Sequence, residues 1–187
     1  MKKAVGDYLF LGWIAGLVIA FDQWTKWLVR DHLAAFDIWP AHMPWLTQYI
    51  RIYPIHNRGA AFGMFQNLNW LFTILAILVS IAIIYYFPQV PRHEWYLRLA
   101  LSLQLGGAVG NLIDRLVQGR VTDFISVGYF PVFNVADASI SVGVAILVIG
   151  VWIRDSQQAK KARALASQDE IPGKPLVEPV SEGKERE

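Results

Sequence analysis

The chain has 187 residues, 55% of them hydrophobic, with a formal net charge of +2 and no cysteine. The missing cysteines exclude disulfides, thiolate nucleophiles and cysteine-based metal sites, and so small a net charge argues against a nucleic-acid partner. So apolar a chain has too little polar surface for a soluble domain, whereas crossing a bilayer takes about 20 apolar residues of helix. Four runs meet that length, Tyr8–Val29, Trp70–Phe87, Trp95–Ile113 and Val135–Ile153. They are predicted as spans and leave no room for a second folded domain. The eight Trp and seven Tyr suit interfacial anchors.

Lys2 and Lys3 ahead of the first run resemble the start of a secretory signal. No small-residue cleavage site follows, and the run continues into Asp22-Gln23-Trp24-Thr25-Lys26, so it reads as a retained first helix. The connection up to Leu68 is rich in aromatics and prolines, and Tyr49–Tyr53 alternates as a short strand does. A lipid-exposed strand edge cannot sit in hydrocarbon, which puts this connection at the interface against the helix ends. The Pro88–Glu94 connection is short, and Arg120–Ile125 again has strand character. Residues 1–156 thus form the membrane domain. Residues 157–187 form a polar tail, predicted to be helical at first and disordered after.

Residues that are costly in a bilayer carry the information. Asp22 and Lys26 end span one, Asn57 precedes span two, Asn111, Asp114 and Arg115 end span three, and Asn134 and Asp137 start span four; Asp123 lies between the last two. Because consecutive spans alternate in direction, all of these fall on one face. The other face carries Lys2, Lys3, Arg92, Arg98, Arg154, Lys160, Lys161 and Arg163, against Lys26, Arg30, Arg51, Arg58, Arg115 and Arg120 on the polar face. That excess puts both termini in the cytoplasm and the polar face outside.

Each motif has a plainer alternative. Asp22 and Lys26 are an i,i+4 pair that could be only a helix-end salt bridge. Asn57-Arg58-Gly59 could be an ordinary turn. Gly106-Gly107-Ala108-Val109-Gly110 reads as close helix packing, which leaves Asn111, Asp114 and Arg115 unexplained; the last two are placed to pair with each other. Asn134-Val135-Ala136-Asp137 is equally a helix N-cap with an acid in the first turn or part of a catalytic site. Asp123 could be a surface turn residue. No HExxH, G-x-S-x-G or Gly-x-Gly-Asp occurs, and the histidines are scattered at 32, 42, 56 and 93, so carboxylates remain as the candidates for chemistry. A small ion-coupled transporter or a non-enzymatic scaffold are the alternative functions. A transporter predicts polar residues on both sides of the midplane.

Taken in order, Asp22-Gln-Trp-Thr-Lys26, Asn57-Arg-Gly59-Ala-Ala-Phe62, Gly106-Gly107-Ala-Val-Gly-Asn111-Leu-Ile-Asp114-Arg115, Val121-Thr-Asp123-Phe124 and Phe133-Asn134-Val-Ala-Asp137 resemble the motifs of lipoprotein (type II) signal peptidases, from Asp22 to about Ile140. The resemblance implies an all-α polytopic enzyme of the bacterial inner membrane, with four transmembrane helices and a small extracytoplasmic β-rich cradle. It implies an aspartyl endopeptidase that needs no metal or cofactor. The implied substrates are diacylglyceryl-modified prolipoproteins, cut just before the lipidated cysteine, with membrane lipid as a partner and globomycin-type peptide antibiotics as inhibitors. It puts the catalytic pair at Asp123 and Asp137. Asn57, Asn111, Arg115 and Asn134 become supporting or substrate-binding residues, and Asp22, Lys26, Gly59, Gly107 and Asp114 the scaffold of the site.

Overall fold

A computed structural model describes residues 2–34, 37–57 and 68–169. Gly59 and its neighbours, and the tail beyond Asp169, lie outside the described residues. Two compact units are distinguished, Met1–Val151 and Trp152–Glu187. The elements are α1 (Lys2–His32), a one-turn α2 (Pro44–Thr47), β1 (Ile50–Asn57), α3 (Asn69–Tyr86), α4 (Trp95–Gln118), β2 (Val121–Val127) and α5 (Val135–Asp169). Each apolar run is therefore a helix, and both segments with strand character are strands.

Polarity is distributed in the reverse of a soluble protein. Large apolar side chains such as Trp13, Trp27, Leu78, Tyr85, Val148 and Trp152 are exposed, while Asp22, Lys26, Asp114 and Asn134 are completely buried. That is the arrangement a hydrocarbon solvent favours. Three helical segments are long and apolar enough to cross a membrane, Val5–His32, Asn69–Gln89 and Val135–Leu165. The 24-residue α4 is about 36 Å long at roughly 1.5 Å per residue, but more polar. Its polarity has a cause in its position, since α1 and α3 both pack on it and it buries Arg98, Ser102, Asn111 and Asp114.

The glycines of α4 mark where other backbones press on it. A methyl group on Gly106 would meet Val18 Cβ at 2.6 Å, and one on Gly107 would strike the Ala136 carbonyl and Ile140 Cγ1. Gly107→Ala should therefore lower the melting temperature in detergent, since overpacking typically costs about 1–3 kcal/mol. A Cβ on Gly12 of α1 meets nothing within 4 Å, so Gly12→Ala is the control that should leave the melting temperature unchanged or higher. Equal melting temperatures for the two variants would contradict the packing seen around Gly107.

Two features bring the strands to the helix ends. Gly119 ends α4 with φ of 68°, a left-handed cap that turns the chain into β2. β1 and β2 then pair antiparallel, with Ile52 opposite Ile125, Ile55 opposite Asp123 and Asn57 opposite Val121. The register shifts between Ile52 and Ile55, where Pro54 has no N–H to give the ladder. At the far end of the bundle, Asp7 accepts hydrogen bonds from Arg92 Nε at 2.9 Å and Arg98 Nη2 at 2.8 Å. Two of the arginines counted above for orientation are thus held by an acid of α1.

Candidate active site

The site is built where the C-terminal ends of α1 and α4, the N-terminus of α5 and the two strands meet. Asp123, on β2, is 3% exposed, so it is no surface turn residue. Its Oδ1 accepts from Asn134 Nδ2 at 2.7 Å and its Oδ2 from Asn57 Nδ2 at 3.0 Å. Burial first, and the neighbouring Asp137 carboxylate second, push the Asp123 carboxyl up to about 6, against the opposing pull of the Asn57 and Asn134 amides.

Asp137 is the helix cap that the sequence allowed, and it also lines the cleft. Asn134 Oδ1 accepts from the Asp137 N–H at 2.9 Å, and Asp137 Oδ2 accepts from the Asn134 N–H at 3.2 Å, a reciprocal cap on α5. The other Asp137 oxygen, Oδ1, accepts from Asn111 Nδ2 at 2.8 Å. Asp123 and Asp137 both line a cleft of about 550 Å³, with Asn57, Asn111 and Arg115 beside them and Phe72, Phe130, Phe133 and Val142 among its apolar lining residues. The cap and the cleft use the same acid.

Beneath the cleft lies a buried ionic network. Lys26 Nζ is 2.8 Å from Asp22 Oδ2, 3.3 Å from Asp114 Oδ2 and 2.9 Å from Asn111 Oδ1. Asp22 Oδ1 accepts the Ala136 N–H at the start of α5, 2.9 Å away. Asp114 also accepts the Thr122 N–H of β2 at 3.0 Å and lies 3.6 Å from Arg30. The expected pairing of Asp114 with Arg115 is therefore corrected. Adjacent residues on a helix point about 100° apart, so Asp114 turns toward α1 and β2 while the Arg115 guanidinium lies over the Phe72 ring, 5.7 Å from its centroid.

Three members of this network were not singled out from the sequence. Gln23 Nε2 reaches Asp22 Oδ2, the Gly110 carbonyl and Asp114 Oδ1, at 3.1, 3.0 and 3.3 Å. Arg30 Nη1 donates to Thr122 Oγ1 at 3.2 Å. Arg30 follows Lys26 by one helical turn, a spacing that could have found it. Gln23 and Thr122 carry no such signal. Among the described residues, no group of three or more His, Cys, Asp or Glu is placed to hold a metal ion.

Fold and cleft together define a multi-pass membrane protein with a cleft lined by two acids at one end of its helices. The family model for signal peptidase (SPase) II matches residues 14–153. A lipoprotein signal peptidase of Halalkalibacterium halodurans is 41% identical over 154 residues, covering 80% of this chain and 96% of the relative. One from Acinetobacter baylyi is 40% identical over 164 residues, covering 83% and 88%. A solved bacterial membrane enzyme, determined by the in meso method at 2.3 Å resolution, superposes with a TM-score of 0.72 at 34% identity, over 79% of this chain and 90% of that one. The chain belongs to the signal peptidase II family, the lipoprotein signal peptidases, and is a bacterial membrane peptidase. Nothing in these relatives supports the transporter reading.

Proposed function

We propose that this protein removes the signal peptide from diacylglyceryl-modified prolipoproteins as an aspartyl endopeptidase, cutting before the lipidated cysteine, with Asp123 and Asp137 as its catalytic pair. The observation that carries the reading is that two acids from separate elements line one cleft and are joined by hydrogen bonds from Asn134 to both. Two carboxylates in one site hold one proton between them over a wide pH range. Asp123, pushed up to about 6, is the member that keeps it. Asp137 takes a proton from a water molecule as that water bonds to the scissile carbonyl carbon. The Asp123 O–H donates to the developing oxyanion, and a proton passes to the departing nitrogen as the C–N bond breaks. Asn57, Asn111, Asn134 and Arg115 hold the substrate backbone and the pair in register.

The membrane arrangement follows from the same reading. α4 is the third of four spans, both termini are cytoplasmic, and the sheet is a cradle at the extracytoplasmic surface. The substrate's acyl chains stay in lipid, and the apolar lining from Phe72, Phe130 and Val142 suits that placement. Gly59 keeps its expected role as scaffold, and globomycin-type peptides are expected to occupy the cleft.

A pH profile tests the mechanism. If protonated Asp123 is required, kcat/KM on a lipidated precursor should fall as pH rises through about 6, where that proton is lost. The Asn57 amide favours the charged form of Asp123, so Asn57→Ala should move this limb to higher pH. A profile flat through that region, or a limb that stays in place in the variant, would count against Asp123 as the proton holder.

A further inference from the structure

We propose that Lys26 is a positioning residue for the carboxylate pair, acting through the side-chain amides of Asn111 and Asn134; this rests on the reading of Asp123 and Asp137 as catalytic. Lys26 is completely buried and is not among the residues lining the cleft, so it acts at a distance. An ammonium group is donor-only, whereas an asparagine side chain can present either its oxygen or its NH2. With Lys26 Nζ 2.9 Å away, Asn111 can face it only with Oδ1. That choice turns Asn111 Nδ2 toward Asp137 Oδ1, at 2.8 Å.

The same oxygen sets the second amide. Asn111 Oδ1 also accepts from Asn134 Nδ2 at 3.1 Å, and that NH2 group reaches Asp123 Oδ1 at 2.7 Å. Asn134 Oδ1 is left facing the Asp137 N–H. A flipped Asn111 would press its NH2 against the ammonium and against the Asn134 NH2, and its oxygen against the Asp137 carboxylate. One cation on α1 therefore gives each catalytic carboxylate an N–H donor. The other charged groups around this chain of contacts are Asp22 and Arg30 on α1, Asp114 and Arg115 on α4, Asp123 on β2 and Asp137 on α5.

Removing Lys26 alone strands buried acids, so the test compares Asp22→Asn/Lys26→Met with Asp22→Asn, as full-length proteins in detergent. The double variant removes one charge of each sign and leaves Asp114 with Arg30. Melting temperature, kcat, KM and the pH profile are read on a lipidated precursor. At matched melting temperatures, kcat of the double variant should be at least about tenfold lower, as misplacement at a reacting centre costs up to ~10²-fold. KM should be nearly unchanged, and the alkaline limb should move to higher pH because a cation favouring charged Asp123 is gone. Equal kcat and an equal limb in the two variants would overturn the role of Lys26.

Asp123→Asn in the same assay separates this from the parent reading. Near-normal cleavage there removes the aspartyl mechanism itself, while loss of cleavage with a normal Lys26 double variant removes only the present inference. If the double variant does not fold, Asp22→Asn/Lys26→Gln is compared with Asp22→Asn in its place, because a glutamine amide can face Asn111 with its oxygen or its NH2 and so no longer fixes which way Asn111 turns. The same fall in kcat with a nearly unchanged KM is expected at matched melting temperatures. An unchanged kcat would overturn the proposal.

Discussion

Asp123→Asn and Asp137→Asn should each lower single-turnover cleavage of a lipidated precursor by roughly 10²–10⁴-fold, the usual worth of a general acid or base. Asparagine keeps the shape of the side chain but cannot cycle a proton. The double variant should be little worse than either single one, because residues that act as a unit are strongly non-additive. Binding of the precursor should survive, since Asn57, Asn111 and Arg115 still line the cleft. The two singles need not match in stability. Asp137 also caps α5 through the Asn134 N–H, and an asparagine oxygen there accepts that bond about as well as a carboxylate. Asp123 is buried, so its neutral replacement relieves a desolvated acid. Each variant also sets one NH2 against a neighbouring N–H donor, so both should lose some melting temperature, and loss of turnover in protein shown to be folded is the result that matters. Near-normal cleavage by Asp123→Asn, or multiplicative losses in the double variant, would sink the paired-acid mechanism.

Lys26→Met should be the most destabilising single change in the site. Its ammonium is fully buried between Asp22 and Asp114, which are themselves fully buried. Removing one member of a buried charge cluster typically costs about 3–5 kcal/mol, because the remaining charges lose their compensation in a poorly polarisable interior. After the change, Asp114 keeps the partly exposed Arg30, 3.6 Å away, and Asp22 loses its ion-pair partner. Asp22→Asn combined with Lys26→Met should recover much of the loss, since an asparagine oxygen can still accept the Ala136 N–H that joins α1 to α5. Thermal unfolding in detergent measures both. A Lys26→Met protein as stable as wild type, or a double variant less stable than the single one, would show that the cluster is not held by charge balance.

Three of the four expected spans, and the clustering of Asp22, Lys26, Asn111, Asp114, Asn134 and Asp137, were legible in the amino-acid sequence. The reason is that a bilayer core makes apolar length and polar exceptions local, countable properties. The short strands were legible too, from alternation at Tyr49–Tyr53 and Arg120–Ile125. The partners of each polar group were not. Asp22 meets the Ala136 N–H 114 positions away in the chain, Lys26 meets Asn111 at a separation of 85, and Asn57 meets Asp123 at 66. Such pairings depend on how each helix is rotated about its axis and on the register of β1 against β2. A neighbour in sequence is a poor guide to that rotation, as Arg115 beside Asp114 illustrates. The choice between cap and catalytic acid at Asp137 was likewise undecidable from spacing. Only the packed structure gives that carboxylate two oxygens with two separate uses, one closing the start of α5 and the other facing Asn111.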